Sequence, residues 1–266
     1  MIDPWRVERI FLTVKAYPSI SKKHGEASCM AGITTQGHWI RLYPVPFRDL
    51  SDEQKFPKYS WIEARIRKST RDFRVESHGV DADSITPLET IPTSNNWSRR
   101  NAIVLPKVAS AEWVFRDDRD PSQDSLALIK PAQIIGLEID KTPDEEFHKQ
   151  IANLNTLQQQ VSLFDIPALK PLELVPYSFR YTFIDDAGRS HKLKIVDWEI
   201  YQLYRNVQHR DNWEDLVRHK YETEFKKKDL YFFLGTTHVW PKSWIIIGVY
   251  YPTSSAAQSH MFDGQI

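Results

Sequence analysis

The sequence predicts an α+β protein built mainly on antiparallel strands, and three observations carry that reading. Residues 61–69, WIEARIRKS, alternate strictly. Ile62, Ala64 and Ile66 share one face and Glu63, Arg65 and Arg67 the other, the period of a half-buried strand. Apolar runs also come in pairs around turn formers. ASCMAGIT and HWIRLYPV flank Thr35-Gln36-Gly37, while YSFRYTFID and SHKLKIVDW flank Asp186-Ala187-Gly188-Arg189. Both are hairpin signals in which glycine supplies a positive φ. Between them stands a helix signature, Thr142-Pro143-Asp144-Glu145, which joins a capping box to a proline at the first helical position.

Taken in order, residues 8–14 read as a first strand and the two runs around Gly37 as the next two. In the second of these, Trp39, Arg41 and Tyr43 point one way and Ile40 and Leu42 the other. Pro44 and Pro46 are expected to end it, since proline removes a ladder donor. SDEQKF reads as a short helical turn and residues 61–69 as a strand. Residues 87–123 carry no assignable pattern. Two apolar runs around Lys130-Pro131 read as strands, and Phe147, Ile151, Leu154 and Val161 mark one stripe of a helix over 143–160. Residues 158–173 read as a connector. After the second hairpin, Asp197 is an N-cap with Glu199 in the first turn. Trp213, Val217, Tyr221 and Phe225 recur at steps of four and should pack on the sheet. DLYFFLGTT and WIIIGVYYP are nearly all apolar, as central strands are, with Gly235 and Gly248 marking a bulge, a tight bend or a close approach. The tail after Pro252 is expected to fray. These elements divide into a mainly β unit, 1–140, and an α+β unit, 141–266. One continuous domain is the alternative. The β part is compatible with a small barrel, PUA-like or OB-like.

Composition removes several function classes. In 266 residues, 35 basic side chains balance 35 acidic ones, so a uniformly basic nucleic-acid binder is not expected, although a local basic face is compatible with neutrality. One cysteine, Cys29, leaves no disulfide framework and no thiolate cluster. No stretch approaches a membrane span and no signal-peptide pattern opens the chain, so a cytoplasmic location is expected and no membrane partner. Phosphate-loop, dinucleotide-binding, nucleophile-elbow and metalloprotease signatures are absent, and neither a cofactor nor a metal is predicted. Asp197-Trp198-Glu199 has the look of spaced metal-binding acids, but a helix cap explains Asp197 without an ion. His191, His209, His219 and His238 are too scattered for ligands and read as surface or capping residues.

Candidate site residues concentrate in the first half. Arg65, Arg67, Lys68, Arg71 and Arg74 stand against Asp72 alone within residues 65–74, a local excess suited to a polyanion. Lys15, Trp39, Arg41, Tyr43, Arg48, Arg71 and Arg74 together form the candidate nucleic-acid-binding set, with guanidiniums for phosphates and rings for bases. Lys15, Glu26, Cys29, Asp72 and Glu76 form a candidate catalytic set. Lys15, His24 and Glu26 would activate the thiol if the loop between the strands folds back over it. A lone cysteine in an apolar strand is otherwise a small buried hydrophobe.

The blocks KAYPSISKKHGEASCMAGITTQGHWIRLYPVPFR, RDFRVES, SLALIKP, LELVPYSFRYTF, IVDWEIYQLYR, DLYFFLGTTH and WIIIGVYYP resemble a group of uncharacterised bacterial proteins of similar length, with no established activity. In that group the hairpin before the Asp-Trp-Glu segment carries cysteines and a histidine. Here FIDDAGRSH keeps His191 without a cysteine, so the resemblance implies no zinc for this chain. It does imply an association with mobile or defence regions, and hence with nucleic acid. Three functions stay open: an accessory protein of a defence or DNA-modification system that binds single strands or extruded bases, an enzyme on a nucleotide or modified base, and a protein–protein subunit of a larger complex.

Overall fold

Gly37 sits at φ 80° and Gly188 at φ 79°, so both predicted hairpins close on the glycine that the turn requires. The computed structural model describes residues 4–21, 25–162 and 172–253. Seven strands come first: β1 (Arg6–Lys15), β2 (Ser19–Ser21), β3 (Gly25–Thr34), β4 (Trp39–Val45), β5 (Ser60–Lys68), β6 (Ser77–Val80) and β7 (Thr86–Thr90). Then follow α1 (Ser94–Val104), α2 (Ala111–Val114), β8 (Leu126–Ile129), β9 (Gln133–Lys141) and α3 (Asp144–Ser162). The last third holds β10 (Tyr177–Ile184), β11 (Ser190–Ile195), α4 (Trp198–Val207), α5 (Trp213–Arg218), β12 (Tyr231–Thr236) and β13 (Trp244–Tyr250). The chain forms two compact units, each from two stretches: Met1–Thr90 with Ile139–Ser178, and Ile91–Glu138 with Phe179–Ile266.

The first unit is organised by a closed five-stranded barrel. β1 pairs with β3, β3 with β4, β4 with β6, β6 with β5, and β5 back with β1. A ring of five strands cannot be antiparallel throughout, because alternating directions around a closed loop need an even number. The parallel β4–β6 pair, Arg41 with Ser77 and Leu42 with His78, supplies the odd step. Inside, Ile10, Leu12, Met30, Ile40, Leu42, Ile62, Ala64 and Ile66 are all at most 2% exposed, so the barrel is a filled core rather than a pore. Strict alternation on β5 is therefore met, and Ile40 and Leu42 take the inner face of β4 as expected.

β4 does not end at Pro44. It runs on to Val45 through a cis Tyr43–Pro44 peptide. On β3 only Cys29 separates Ser28 from Met30, while on β4 Tyr43 and Pro44 separate their partners Val45 and Leu42. The proline thus falls on a bulge, where its missing N–H removes no ladder bond. A second irregularity at Thr13 of β1 also helps to curl the sheet. The segment expected as a helical turn at 51–56 is a turn held by the Ser51 carbonyl, which accepts from the amides of Gln54 and Lys55.

The second sheet has the order β8-β12-β13-β11-β10-β9. β12 and β13 lie centrally and are buried nearly throughout, as their composition predicted. Their pairing shifts between Phe233 and Leu234, beside Gly248, which is the bulge reading of that glycine. The stripe at steps of four is met by three of its four members: Val217, Tyr221 and Phe225 are at most 2% exposed, while Trp213 is half-buried, edge-on to Tyr204. The helix carrying it widens to a π turn over His219–Glu224, and the Tyr181 hydroxyl donates to the Tyr221 carbonyl at 2.6 Å. Among the described residues no helix is long and apolar enough to cross a membrane. Residues 163–171 of the connector and the tail beyond 253 lie outside the described residues.

Asp197 caps α4, accepting from the Glu199 amide at 3.4 Å, and its other oxygen accepts from the Val249 amide of β13 at 3.0 Å. It is fully buried. One carboxylate therefore ties the helix start to a central strand, which accounts for the acid without an ion. Asp197→Ala removes both bonds and is expected to cost about 2 kcal/mol, measured by urea unfolding. A change of a few tenths would contradict this role.

Candidate functional site

The segment from Ser69 to Glu76, which joins β5 to β6, alternates like a strand but with its charges turned in. Arg74 is 5% and Glu76 6% exposed, whereas Phe73 and Val75 are 45% and 41% exposed, and Arg71 points to solvent. Asp72 takes the inner row with a side chain 18% exposed. Arg74 grips Asp72 with two nitrogens, Nε at 2.8 Å from Oδ1 and Nη2 on Oδ2, and the Arg74 amide adds a third bond at 3.2 Å. The Lys68 ammonium donates to the carbonyls of Arg74 and Ser77. Cations on both sides of the segment thus fold it onto the barrel.

This inner row meets β3 and β4. Arg41, 2% exposed, donates its amide to the Glu76 carbonyl at 2.8 Å and lies in electrostatic reach of Cys29, Arg74, Glu76 and Asp72. Burial lowers the Arg41 guanidinium; Cys29, Glu76 and Asp72 oppose that shift, while Arg74 adds to it. Burial also pushes the Cys29 thiol up, against the pull of Arg41 and Arg74. At neutral pH it stays a thiol, the weakly nucleophilic form. Burial would raise the Asp72 carboxyl, yet the hydrogen bonds from Arg74 prevail and hold it well below the usual carboxylate range. The structure thus brings Cys29, Arg41, Asp72, Arg74 and Glu76 into one largely buried polar cluster.

The other sequence candidates go elsewhere. Lys15 places its ammonium 3.6 Å from the centre of the Phe47 ring and donates to the Phe56 carbonyl at 3.2 Å. Glu26 pairs with Arg48 at 2.6 Å. Trp39 and Tyr43 are half-buried on the outward face of β4, on either side of Arg41. His24 lies outside the described residues. His191 is neither a surface residue nor a cap. Its Nε2 is 2.7 Å from Asp185 Oδ2, and its ring stacks on Phe115 at 3.9 Å. Burial works to raise the Asp185 carboxyl, but the His191 and Arg189 hydrogen bonds hold it down to about 2. Among the described residues no three His, Cys, Asp or Glu side chains gather as a metal ion would require.

The basic segment 65–74 is divided by this arrangement. Arg74 is turned in and Lys68 holds backbone, while Arg65, Arg67 and Arg71 are exposed. Arg65 pairs with Asp81 at 3.3 Å. Trp5, 38% exposed, joins them: the Arg67 guanidinium lies 4.6 Å and that of Arg65 5.9 Å from its ring centre. β1 and β5 produce the match, since Arg6 pairs with Ile66 and Val7 with Arg65. Trp5 is a residue the sequence reading passed over. Its only signal was an aromatic set among charges at the head of a strand.

The chain matches the family described as Domain of unknown function (DUF8757) over residues 109–265, more than half its length. Residues 6–106 match Domain of unknown function (DUF8758). No curated protein matches. A solved structure of a murine DNA-binding protein bound with double-stranded DNA aligns at 8% identity, covering 94% of this chain and 96% of that one, with a TM-score of 0.32. At that score it carries no weight for fold or ligand.

Proposed function

We propose that this chain, which belongs to the DUF8757 family, binds single-stranded nucleic acid on the outer barrel face formed by Trp5, Arg65, Arg67, Arg71 and Phe73. The observation that carries the reading is the exposed Trp5 ring flanked by two guanidiniums, at 4.6 and 5.9 Å. A ring beside fixed cations offers a base a stacking surface and its phosphates a charge-assisted bond. Arg71 and Phe73 add an exposed cation and an exposed ring on the segment that joins β5 to β6. Arg41 and Arg74 take no part as ligands here; they hold that segment in place. An accessory role in a defence or DNA-modification system is supported only by the resemblance of the sequence blocks.

Trp5→Ala is expected to weaken binding of a fluorescent oligothymidylate about tenfold, within the roughly 1–3 kcal/mol that one stacked base is worth. Arg67→Ala/Arg71→Ala is expected to weaken it and to flatten its salt dependence by about 1.4 in log–log slope, two phosphate contacts at about 0.7 each. Wild-type affinity in both variants would sink the proposal.

A further inference from the structure

We infer that one end of the second sheet is a docking surface for a basic, partly apolar protein segment. Val239 and Trp240, in the loop between β12 and β13, are 72% and 69% exposed, the largest exposures among the large apolar side chains of the described residues. The loop that carries them is held in shape. The Trp240 amide donates to the Thr237 hydroxyl at 3.0 Å, and the Ser243 amide to the Trp240 carbonyl at 3.1 Å. Arg119, 8% exposed, donates to the Pro241 carbonyl at 2.8 Å and covers the Trp244 ring at 4.5 Å. Trp244 in turn donates to the Val114 carbonyl at 3.1 Å. A buried arginine therefore fixes a loop whose own tip is apolar and in water, and tryptophan on a preorganised loop is among the side chains enriched at interface hot spots.

Charge selects the partner. The same end carries α2 and the segment after it, since the Asp186 carboxylate in the β10–β11 turn accepts from the Ala111 amide at 3.1 Å. Glu112, Asp117, Asp118, Asp120 and Asp186 are all exposed there, and Trp113 is 44% exposed among them. The cations at this end are engaged: Arg116 with Asp124 and Asp118, Arg119 in the loop, and Arg189 with Asp185. Lys242 is the exposed exception. Tryptophans rimmed by carboxylates repel phosphate and favour lysines and arginines set among apolar side chains. This inference stands independently of the nucleic-acid reading, which uses other residues.

The test is binding of the full chain to a fluorescent amphipathic Leu/Lys peptide, beside a Leu/Glu peptide of the same length. Trp240→Ser and Glu112→Lys/Asp117→Lys are each expected to weaken Leu/Lys binding about tenfold or more. Melting temperature and oligothymidylate affinity should stay unchanged, since these side chains are exposed. Equal binding of the Leu/Glu peptide would overturn the inference, as would Leu/Lys affinity indifferent to Trp240→Ser. Loss of oligothymidylate binding in Trp240→Ser would instead assign the loop to nucleic acid. A dimer that dissolves in that variant would assign it to a second copy, and adsorption to neutral lipid vesicles that Trp240→Ser abolishes would assign it to a lipid surface; each would overturn the inference.

Discussion

Gly32→Ala is expected to destabilise the barrel by about 3 kcal/mol or more, at the upper end of what an inserted methyl group costs in a filled core. Gly32 lies on β3 opposite Leu12 of β1 and Ile40 of β4. A Cβ there would fall well inside van der Waals contact of the Phe11 carbonyl oxygen and 2.8 Å from Ile10 Cγ2. A flexible side chain can swing aside, but the Phe11 oxygen belongs to the backbone of β1, which is paired on both edges, with β3 and with β5. Relief therefore requires the ladder to move. Urea unfolding of Gly32→Ala should show a midpoint far below wild type; an unchanged midpoint would mean that β1 and β3 are not so closely apposed.

Arg74→Met is expected to cost about 3–5 kcal/mol, the range for removing one partner of a buried ion pair. It leaves Asp72 without its bidentate partner, and the Lys68 ammonium bound to a segment that has lost its anchor. Asp72→Leu/Arg74→Met should recover much of the loss, because replacing both partners removes the uncompensated charge. The pair also fixes a pH dependence. The folded Asp72 carboxyl sits below its ordinary value, so its contribution is present above the unfolded carboxylate range and disappears as pH falls below it. Wild type should lose stability from about pH 4 downward more steeply than the double variant. Additive losses in the two single variants, or parallel acid curves, would show that the pair acts as a surface ion pair does.

Much of the fold was legible because its signals are local. The alternation at 61–69, glycines 37 and 188, the helix start at Pro143-Asp144 and the Asp197 cap each state a backbone requirement within a few residues. A small barrel was compatible with the strand pattern, but the pairing that closes it was not legible. The parallel β4–β6 contact joins strands separated by β5, and register between such strands leaves no trace in either segment. Arg-Asp-Phe-Arg-Val-Glu-Ser did alternate, but with an inverted meaning: an outward row of charges is the ordinary reading, and here Asp72 and Arg74 face in as a pair and Glu76 faces in within electrostatic reach of Arg41. An outward Arg74 would stand on the ligand side; turned inward, it is 5% exposed. Residues 87–123 resisted assignment for a further reason. Asn95, Asn96 and Trp97 run left-handed at φ 50°, 51° and 61°, a conformation that asparagine tolerates and tryptophan rarely takes. Trp97 is held there with Arg100 over its ring and edge-on to Tyr250 and Tyr251 at 5.1 and 5.2 Å, two tyrosines that lie far along the sequence.

The central claim is that an exposed set of arginines and rings on the barrel reads single strands. Its most direct measurement is the affinity of the wild-type chain for oligothymidylate, and for a duplex of equal length, as a function of salt. Three phosphate contacts, by Arg65, Arg67 and Arg71, predict a log–log slope of about −2 with the single strand, at about 0.7 per contact, and weaker binding of the duplex, whose bases are closed to Trp5 and Phe73. Absent binding, a flat salt dependence, or equal affinity for the duplex would contradict it.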